Sequence, residues 1–304
     1  MTNAWIQRIV ALGLLLLGIS CAYYWKQTYS AWFLLVVLVP VALILVFEAF
    51  QFIVLYVVNQ NDPAPKATLS QYASAYCTEL WSSVKIFGLW QPFQHKLLPD
   101  NLTRDQQQRC GVVLVHGFFC NRAFWNGWMR TLQSEKRVFV AVDLTPAFGS
   151  IDDYVNILER AVKQVVDITG QPAVLVGHSM GGLAVRAWLS LRNKSDKPAD
   201  TLQLVKQVIT LGTPHQGTWF GAVSHALNGR QMALSSQWLQ RLRQKEQEMA
   251  QVKFTCFYSN CDNIVFPVSS ATLPQADNRL VTALGHVAMA YDKRMQKVYW
   301  ELML

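Results

Sequence analysis

The sequence predicts an α/β fold with a doubly wound, mostly parallel sheet, preceded by an N-terminal transmembrane helical hairpin. Short apolar runs of strand type alternate with helical stretches from residue 110 onward, which is the order typical of such sheets. Two uncharged runs, residues 9–25 and 31–47, precede them, and each is near the lower length limit of a membrane span. With 52% hydrophobic and 15% charged residues, the chain carries less charge than a typical soluble domain.

The hairpin is predicted to occupy residues 1–60. Trp5 precedes the first apolar run and three aromatic residues at 23–25 end it, as in the aromatic belts of membrane–water interfaces. The second run continues past two polar residues, Glu48 and Gln51. An N-terminal hairpin of two membrane-spanning helices accounts for both runs.

A cleaved signal peptide with a lipoprotein site before Cys21 is the alternative for the amino end. Gly18 stands three positions before that cysteine, where such a site has leucine. Cleavage would also leave the second apolar run without an explanation. We therefore favour the hairpin.

The charge pattern favours a cytoplasmic position for the rest of the chain, by only one or two basic residues. A hairpin places both of its ends on one side of the membrane, with Arg8 and Lys66, whereas Lys26 lies in the predicted loop 26–30. Basic residues mark the cytoplasmic side. The net charge of +8 fits contact with anionic membrane lipids and ordinary solubility equally well. The basic residues are scattered, so we expect no nucleic-acid partner.

Residues 61–108 are predicted to form a linker and an N-terminal helical extension. Polar residues and prolines at 59–66 have the composition of a linker. A helix is expected over 68–84, with Thr68 or Ser70 as its cap, and a strand over 86–93. The sequence points to no particular protein partner.

Residues 109–304 are predicted to form the main domain. Strands are expected at 111–115, 137–144, 173–176, 204–211, 252–258 and 279–282, and helices at 125–135, 151–169, 180–192 and 287–302. The long connection 216–251 contains apolar residues in two predicted helical pieces, and we favour a lid or cap there over a plain crossover helix.

Ser179 is the predicted nucleophile. It lies in Gly177-His178-Ser179-Met180-Gly181, between a strand and a helix, which is the arrangement of a nucleophile elbow. Glycine on either side of the serine lets the strand and the helix pass closely. The competing explanation is a glycine-rich turn with a solvated serine.

The serine needs a base, and His286 is the best placed of the histidines. It follows the sixth strand, so its loop lies at the same edge of the sheet as Ser179. His178 adjoins the serine on a sharp turn and is expected to pack or orient rather than accept the proton. The candidates considered are His95, His116, His178, His215, His225 and His286.

The third catalytic member is predicted to be Asp262, which directly follows the fifth strand. A carboxylate here would fix the tautomer of His286 and stabilise its protonated form. Asp277 is the alternative, because it precedes the sixth strand. Asp196 and Asp200 follow a helix, at the wrong edge of the sheet.

Two backbone N–H groups are predicted to form an oxyanion hole. Met180 follows the nucleophile, and Phe118 follows a tight turn at Gly117 after the first strand of the domain. No cofactor or metal is expected, because none of the spacings among the six cysteines suggests a zinc or haem site. The sequence neither predicts nor excludes a disulfide bond between Cys256 and Cys261.

Taken together, the motifs resemble the bacterial triacylglycerol lipase and esterase branch of the α/β-hydrolases, from about residue 110 to the end. The matching segments, in order, are His116-Gly117-Phe118, Gly177-His178-Ser179-Met180-Gly181-Gly182, Gly212-Thr213-Pro214-His215-x-Gly217, Asp262-x-Ile264-Val265 and Gly285-His286-Val287. Residues 116–125 are similar to a membrane-anchored subgroup of these proteins, and this resemblance implies a position in a bacterial-type inner membrane. No calcium site of the kind some of those lipases carry is evident.

The resemblance implies hydrolysis of carboxylic esters through an acyl-serine, with a lipid or acyl ester as substrate. We expect substrate contacts from His116, Phe119, Trp219 and Phe220. An acyltransferase or a thioesterase would use the same triad. A non-catalytic scaffold with a hydrolase fold is the alternative from another class.

Overall fold

A computed structural model describes residues 3–26, 34–103, 109–192, 203–246 and 252–303. Its centre is a six-stranded parallel sheet with the strand order β2-β1-β3-β4-β5-β6. The strands are β1 (Val112–Val115), β2 (Phe139–Ala141), β3 (Ala173–His178), β4 (Val205–Leu211), β5 (Phe254–Ser259) and β6 (Asp277–Val281). The predicted doubly wound α/β fold is therefore confirmed.

Helices cover both faces of the sheet. The helices of the chain are α1 (Asn3–Trp25), α2 (Leu35–Val58), α3 (Leu69–Ser83), α4 (Gln91–Phe93), α5 (Asn126–Ser134), α6 (Val155–Thr169), α7 (Met180–Arg192), α8 (Trp219–Ala222), α9 (Leu227–Gln231), α10 (Gln237–Glu246) and α11 (Lys293–Met303). One face packs against the apolar sides of α6 and α7. The other packs against Trp125, Trp128 and Tyr299. All residues of β1 and β3 are buried, as expected of strands covered on both sides.

Two helices in the described part of the chain, α1 and the stretch Leu35–Asn61, are long and apolar enough to cross a membrane. They pack along each other. Their connection at 27–33 lies outside the described residues, so the predicted loop 26–30 falls mostly there. The two helices are consistent with the predicted hairpin.

The predicted strand at 86–93 is wrong. Residues Val84–Trp90 continue α3 as a π-helical stretch, and α4 follows directly. Ile86 and Trp90 are both buried, and their spacing of four places them on one face of a helix. The predicted helix before them is confirmed, with Thr68 as the N-cap that accepts a hydrogen bond from the Gln71 N–H.

Three other predicted features differ in extent. The second strand is only Phe139–Ala141, and the last helix starts at Lys293, after a single 3₁₀ turn. The connection after β4 contains three short helices up to residue 246; 247–251 lie outside the described residues, as do Asp196 and Asp200. All six cysteines are free thiols, so Cys256 and Cys261 are not bridged.

Candidate active site

Ser179 lies on a sharp turn between β3 and α7. Its φ of 53° is in the left-handed region, which is strained for a residue with a side chain. The turn is possible because the strand and the helix approach closely: a Cβ on Gly177 would lie 2.6 Å from the Gly182 nitrogen. This is the geometry of a nucleophile elbow. The serine itself is buried, with 6% of its surface exposed.

The loop after β1 lies against the serine. A Cβ on Gly117 would lie 2.8 Å from the Cβ of Ser179, so only glycine fits there. The following residues, Phe118 and Phe119, are half-buried, and both rings pack against Phe148. The two predicted oxyanion donors thus belong to elements that meet at the serine, since Met180 begins α7.

Asp262 and His286 form a buried pair at the same edge of the sheet. Nδ1 of His286 lies 3.0 Å from each carboxylate oxygen of Asp262. The backbone N–H groups of Ile264 and Val265 donate to the same carboxylate, at 3.0 and 2.8 Å. Asp277 is at the opposite end of β6 and pairs with Arg279. The geometry therefore favours Asp262 as the partner of His286.

The pair determines the protonation of His286. Burial lowers the pKa of this imidazole, but the charge of Asp262 and its hydrogen bond raise it, and the net pKa lies above the usual value of histidine. A histidine with such a partner accepts a proton readily and keeps its Nδ1–H directed at the carboxylate.

His178 contacts the backbone of His286. Its Nε2 lies 3.1 Å from the carbonyl oxygen of His286, so this nitrogen must carry the hydrogen. Burial, followed by the neighbouring charge of His286, holds the pKa of His178 well below its usual value. Its ring also stacks on Phe124. These contacts agree with the predicted packing or orienting role.

Four polar residues at this site were not predicted from sequence. Asn263 accepts a hydrogen bond from the His286 N–H at 3.0 Å, and its own amide donates to Glu48 and Gln51 of α2. Glu79 of α3 accepts hydrogen bonds from the backbone just after His286. The interruption of an apolar run by Glu48 and Gln51 was the available signal, because residues three apart share a helix face.

The four predicted substrate contacts lie in different surroundings. His116 is buried, with Nε2 accepting the Leu144 N–H at 3.0 Å and Nδ1 2.9 Å from the Gly117 carbonyl. Its ring therefore supports the loop after β1. Trp219 and Phe220 pack against Phe266, whereas Phe119 stacks on Phe148.

The predicted lid contributes partly to the core. Trp238 and Leu239 of α10 are buried in the cluster formed with α6 and α7, and the Trp238 indole donates to Asp152 at 2.9 Å. Within the described residues, no group of three or more histidine, cysteine, aspartate or glutamate side chains is arranged to hold a metal ion.

Known proteins share the motifs and the fold. The model of the "Alpha/beta hydrolase family" matches residues 112–292. Triacylglycerol lipases of Pseudarthrobacter phenanthrenivorans and Burkholderia plantarii are each 37% identical over 123 residues, which is 37% of this chain and 35% and 31% of theirs. The chain thus matches about a third of the length of these relatives.

Solved lipase structures share the architecture. The mature lipase BlEst2 of Bacillus licheniformis superposes with a TM-score of 0.56 at 17% identity, covering 66% of this chain and 94% of that one. Lipase B of Aspergillus fumigatus gives 0.54 at 18% identity, covering 63% and 51%. At such low identity the likeness concerns the fold. From the family model, which covers more than half of the sequence, and from the matching sheet, this chain belongs to the α/β-hydrolase family.

Proposed function

We propose that this protein is a membrane-anchored serine hydrolase that cleaves carboxylic esters of lipid-like acyl chains through Ser179, His286 and Asp262. The observation that carries the proposal is the buried Asp262–His286 pair, with Nδ1 3.0 Å from the carboxylate, at the edge of the sheet where the strained Ser179 turn ends β3. The triacylglycerol lipase relatives support an ester substrate.

Acylation uses the three side chains in sequence. His286 removes the proton from the Ser179 hydroxyl, and the oxygen attacks the ester carbonyl carbon. The resulting oxyanion accepts hydrogen bonds from the backbone N–H groups of Phe118 and Met180, each worth about 3–4 kcal/mol of barrier. The protonated imidazole, stabilised by Asp262, then gives its proton to the departing alcohol.

Deacylation repeats the scheme with water. His286 takes a proton from a water molecule, which attacks the acyl-serine, and the acid leaves as the proton returns to Ser179. The acyl chain would contact Phe119, and we propose Trp219, Phe220 and the segment 216–251 as the lid. His116 supports the oxyanion loop in this scheme.

The chain is proposed to be divided at residues 60 and 108, into the hairpin, the linker with its helical extension, and the catalytic domain. The hairpin would anchor it in a bacterial-type inner membrane, close to membrane lipids, with the catalytic domain on the cytoplasmic side. A reporter fused to the carboxyl end tests the side, and a periplasmic signal would contradict it.

Labelling with a fluorophosphonate probe tests the nucleophile. The parent and a Ser134→Ala control, changed at an exposed serine of α5, should be labelled equally, and Ser179→Ala should not be labelled. Labelling that survives in Ser179→Ala would refute the assignment. Hydrolysis of p-nitrophenyl esters of increasing chain length then tests the lipid-like substrate, since a preference for acetate would indicate a small-molecule esterase.

A further inference from the structure

Three consecutive backbone N–H groups follow β6 at the histidine, and each has a side-chain acceptor. The N–H of His286 donates to Asn263 at 3.0 Å. The N–H of Val287 lies 2.9 and 3.0 Å from the two oxygens of Glu79, and that of Ala288 lies 2.8 Å from one of them. Glu79 belongs to α3, which lies outside the segment matched by the family model.

We infer that Glu79 is a positioning residue for His286, supplied to the active site by the helical extension. Its carboxyl group holds the two peptide units directly after the histidine, while Asp262 holds the ring. This inference rests on the proposed triad and adds a residue from another part of the chain to its support.

The Glu79 carboxyl group is sealed inside the protein. The residue is 1% exposed, so water cannot replace the contacts that its side chain makes. A Cβ on Gly285 would lie 2.6 Å from one Glu79 oxygen. Glycine directly before His286 therefore leaves the space that the carboxyl group fills.

Removal of this acceptor leaves two buried backbone donors unsatisfied, which is unfavourable in the protein interior. The loop then has to move to recover partners for the Val287 and Ala288 N–H groups, and the His286 backbone moves with it. A displacement of about 1 Å at a catalytic group lowers rates by about 100-fold. The predicted defect is therefore in proton transfer and not in substrate binding.

Glutamine is the matched replacement for Glu79. Burial raises the pKa of Glu79 to about 8, although the Val287 and Ala288 N–H groups act in the opposite direction. The side chain is therefore mostly neutral near pH 7. An amide keeps this size, this charge and an oxygen acceptor.

Two esters of one acid separate positioning from general loss of folded protein. p-Nitrophenolate departs from p-nitrophenyl butyrate without a proton, whereas the ethanol of ethyl butyrate needs the proton that His286 donates. A misplaced imidazole should therefore slow the ethyl ester more. A smaller fraction of folded protein would slow both esters by the same factor.

The experiment compares the full chain with Glu79→Ala, Glu79→Gln and an exposed control, Glu301→Ala, with folding checked by circular dichroism. For Glu79→Ala we expect kcat/KM to fall about 100-fold on ethyl butyrate and about tenfold on p-nitrophenyl butyrate, at an unchanged KM. Glu79→Gln and the control should stay within about threefold of the parent. Equal losses on both esters, no loss, or a glutamine variant as poor as the alanine variant would overturn the inference.

A second variant and a nucleophile control complete the test. Gly285→Ala places a methyl group against the Glu79 oxygen and should show the same selective loss on ethyl butyrate. This variant tests the inference even if Glu79→Ala does not fold. An unchanged ratio of the two ester rates in Gly285→Ala would overturn the inference. If Ser179→Ala hydrolyses the esters as fast as the parent does, the proposed function fails. If hydrolysis depends on Ser179 while Glu79→Ala keeps the parent ratio, only the positioning role fails.

Discussion

The catalytic domain buries mostly apolar side chains in its sheet, whereas the two N-terminal helices bury several polar side chains and expose most of their apolar ones. In the domain, β1 and β3 are buried along their whole length and are mostly valine and leucine. In α1 and α2 the buried side chains include Gln7, Glu48 and Gln51, while most leucine, isoleucine and valine side chains point outward. Polar groups inside and apolar groups outside suit a helix pair in lipid.

The inward polar groups of the helices contact the loops around the candidate active site. Gln7 of α1 donates to the Phe119 carbonyl at 2.8 Å, and Asn3 donates to that of Cys120. From α2, Gln51 and Glu48 contact Asn263 beside Asp262. The difference teaches that the two N-terminal helices are built into the candidate site, since their polar side chains hold the loops around it.

The largest expected effect distinguishes a residue that takes part in the reaction from one that supports the loop. The two are the buried carboxyl groups of Asp262 and Glu48, which lie near the same loop. Asp262→Asn should lower kcat by about 10⁴-fold, because the amide favours the wrong tautomer of His286. Glu48→Gln should cost less than about tenfold, the equivalent of one hydrogen bond of about 1 kcal/mol. Steady-state hydrolysis of p-nitrophenyl butyrate measures both. Equal losses of kcat in the two variants would mean that α2 takes part in the reaction, which would contradict the difference between the domain and the helices.

The second prediction tests the outward apolar surface. Val46 is near the middle of α2 and 67% exposed. In the proposed anchor, Val46→Lys places a charge within the bilayer at a cost of about 2.5–3.5 kcal/mol, so less protein should remain in membranes after alkaline extraction. The matched variant in the domain is Leu191→Lys, at a leucine that is 40% exposed, and it should not change this fraction. The same membrane fraction in both variants would contradict a lipid-facing surface.

Much of the fold and the placement of the candidate triad residues could be predicted from sequence, because their signals are local. The apolar run before Gly177 and the helix after Ser179 define the elbow, and the loops after β5 and β6 bring Asp262 and His286 to the same edge. Chain order along a parallel sheet is enough to place such residues. The geometry of the Asp262–His286 pair then agrees with the pattern.

The support of the site could not be predicted, because it joins residues far apart in sequence. Glu79 lies 208 positions before Val287, and a glutamate within a helix usually faces solvent. The strand expected at 86–93 shows the same limit, since Ile86 and Trp90 face a core that sequence does not reveal. Glu48 and Gln51 gave a signal, but their common partner Asn263 did not.

The third prediction tests the inward polar surface. Gln51→Leu removes one of the two acceptors of the Asn263 amide, and leucine fits the apolar surroundings of α2. Loss of a buried partner should reduce the free energy of unfolding by about 1–3 kcal/mol, measured by denaturation in detergent. The control is Gln60→Leu, at an exposed residue in the 3₁₀ turn directly after α2, and it should be neutral. A Gln51→Leu variant as stable as the parent would show that the polar face contributes nothing to stability.

The smallest expected effect concerns the pH dependence of the rate. It distinguishes the electrostatic effect of Asp262 on His286 from structural support by Gln51. His286 accepts a proton from Ser179 only when neutral, so kcat/KM should fall as the pH decreases through the pKa of this histidine. Because Asp262 raises that pKa above its usual value of about 6.5, the midpoint of the acid limb should lie above that pH. Gln51→Leu changes no charge and should lower the rates without moving the midpoint. Hydrolysis of p-nitrophenyl butyrate from about pH 5 to about pH 9 measures this midpoint in the parent and in Gln51→Leu. A parent midpoint below the ordinary histidine pKa would contradict the dominance of Asp262, and a shifted midpoint in Gln51→Leu would give the hairpin an electrostatic part in catalysis.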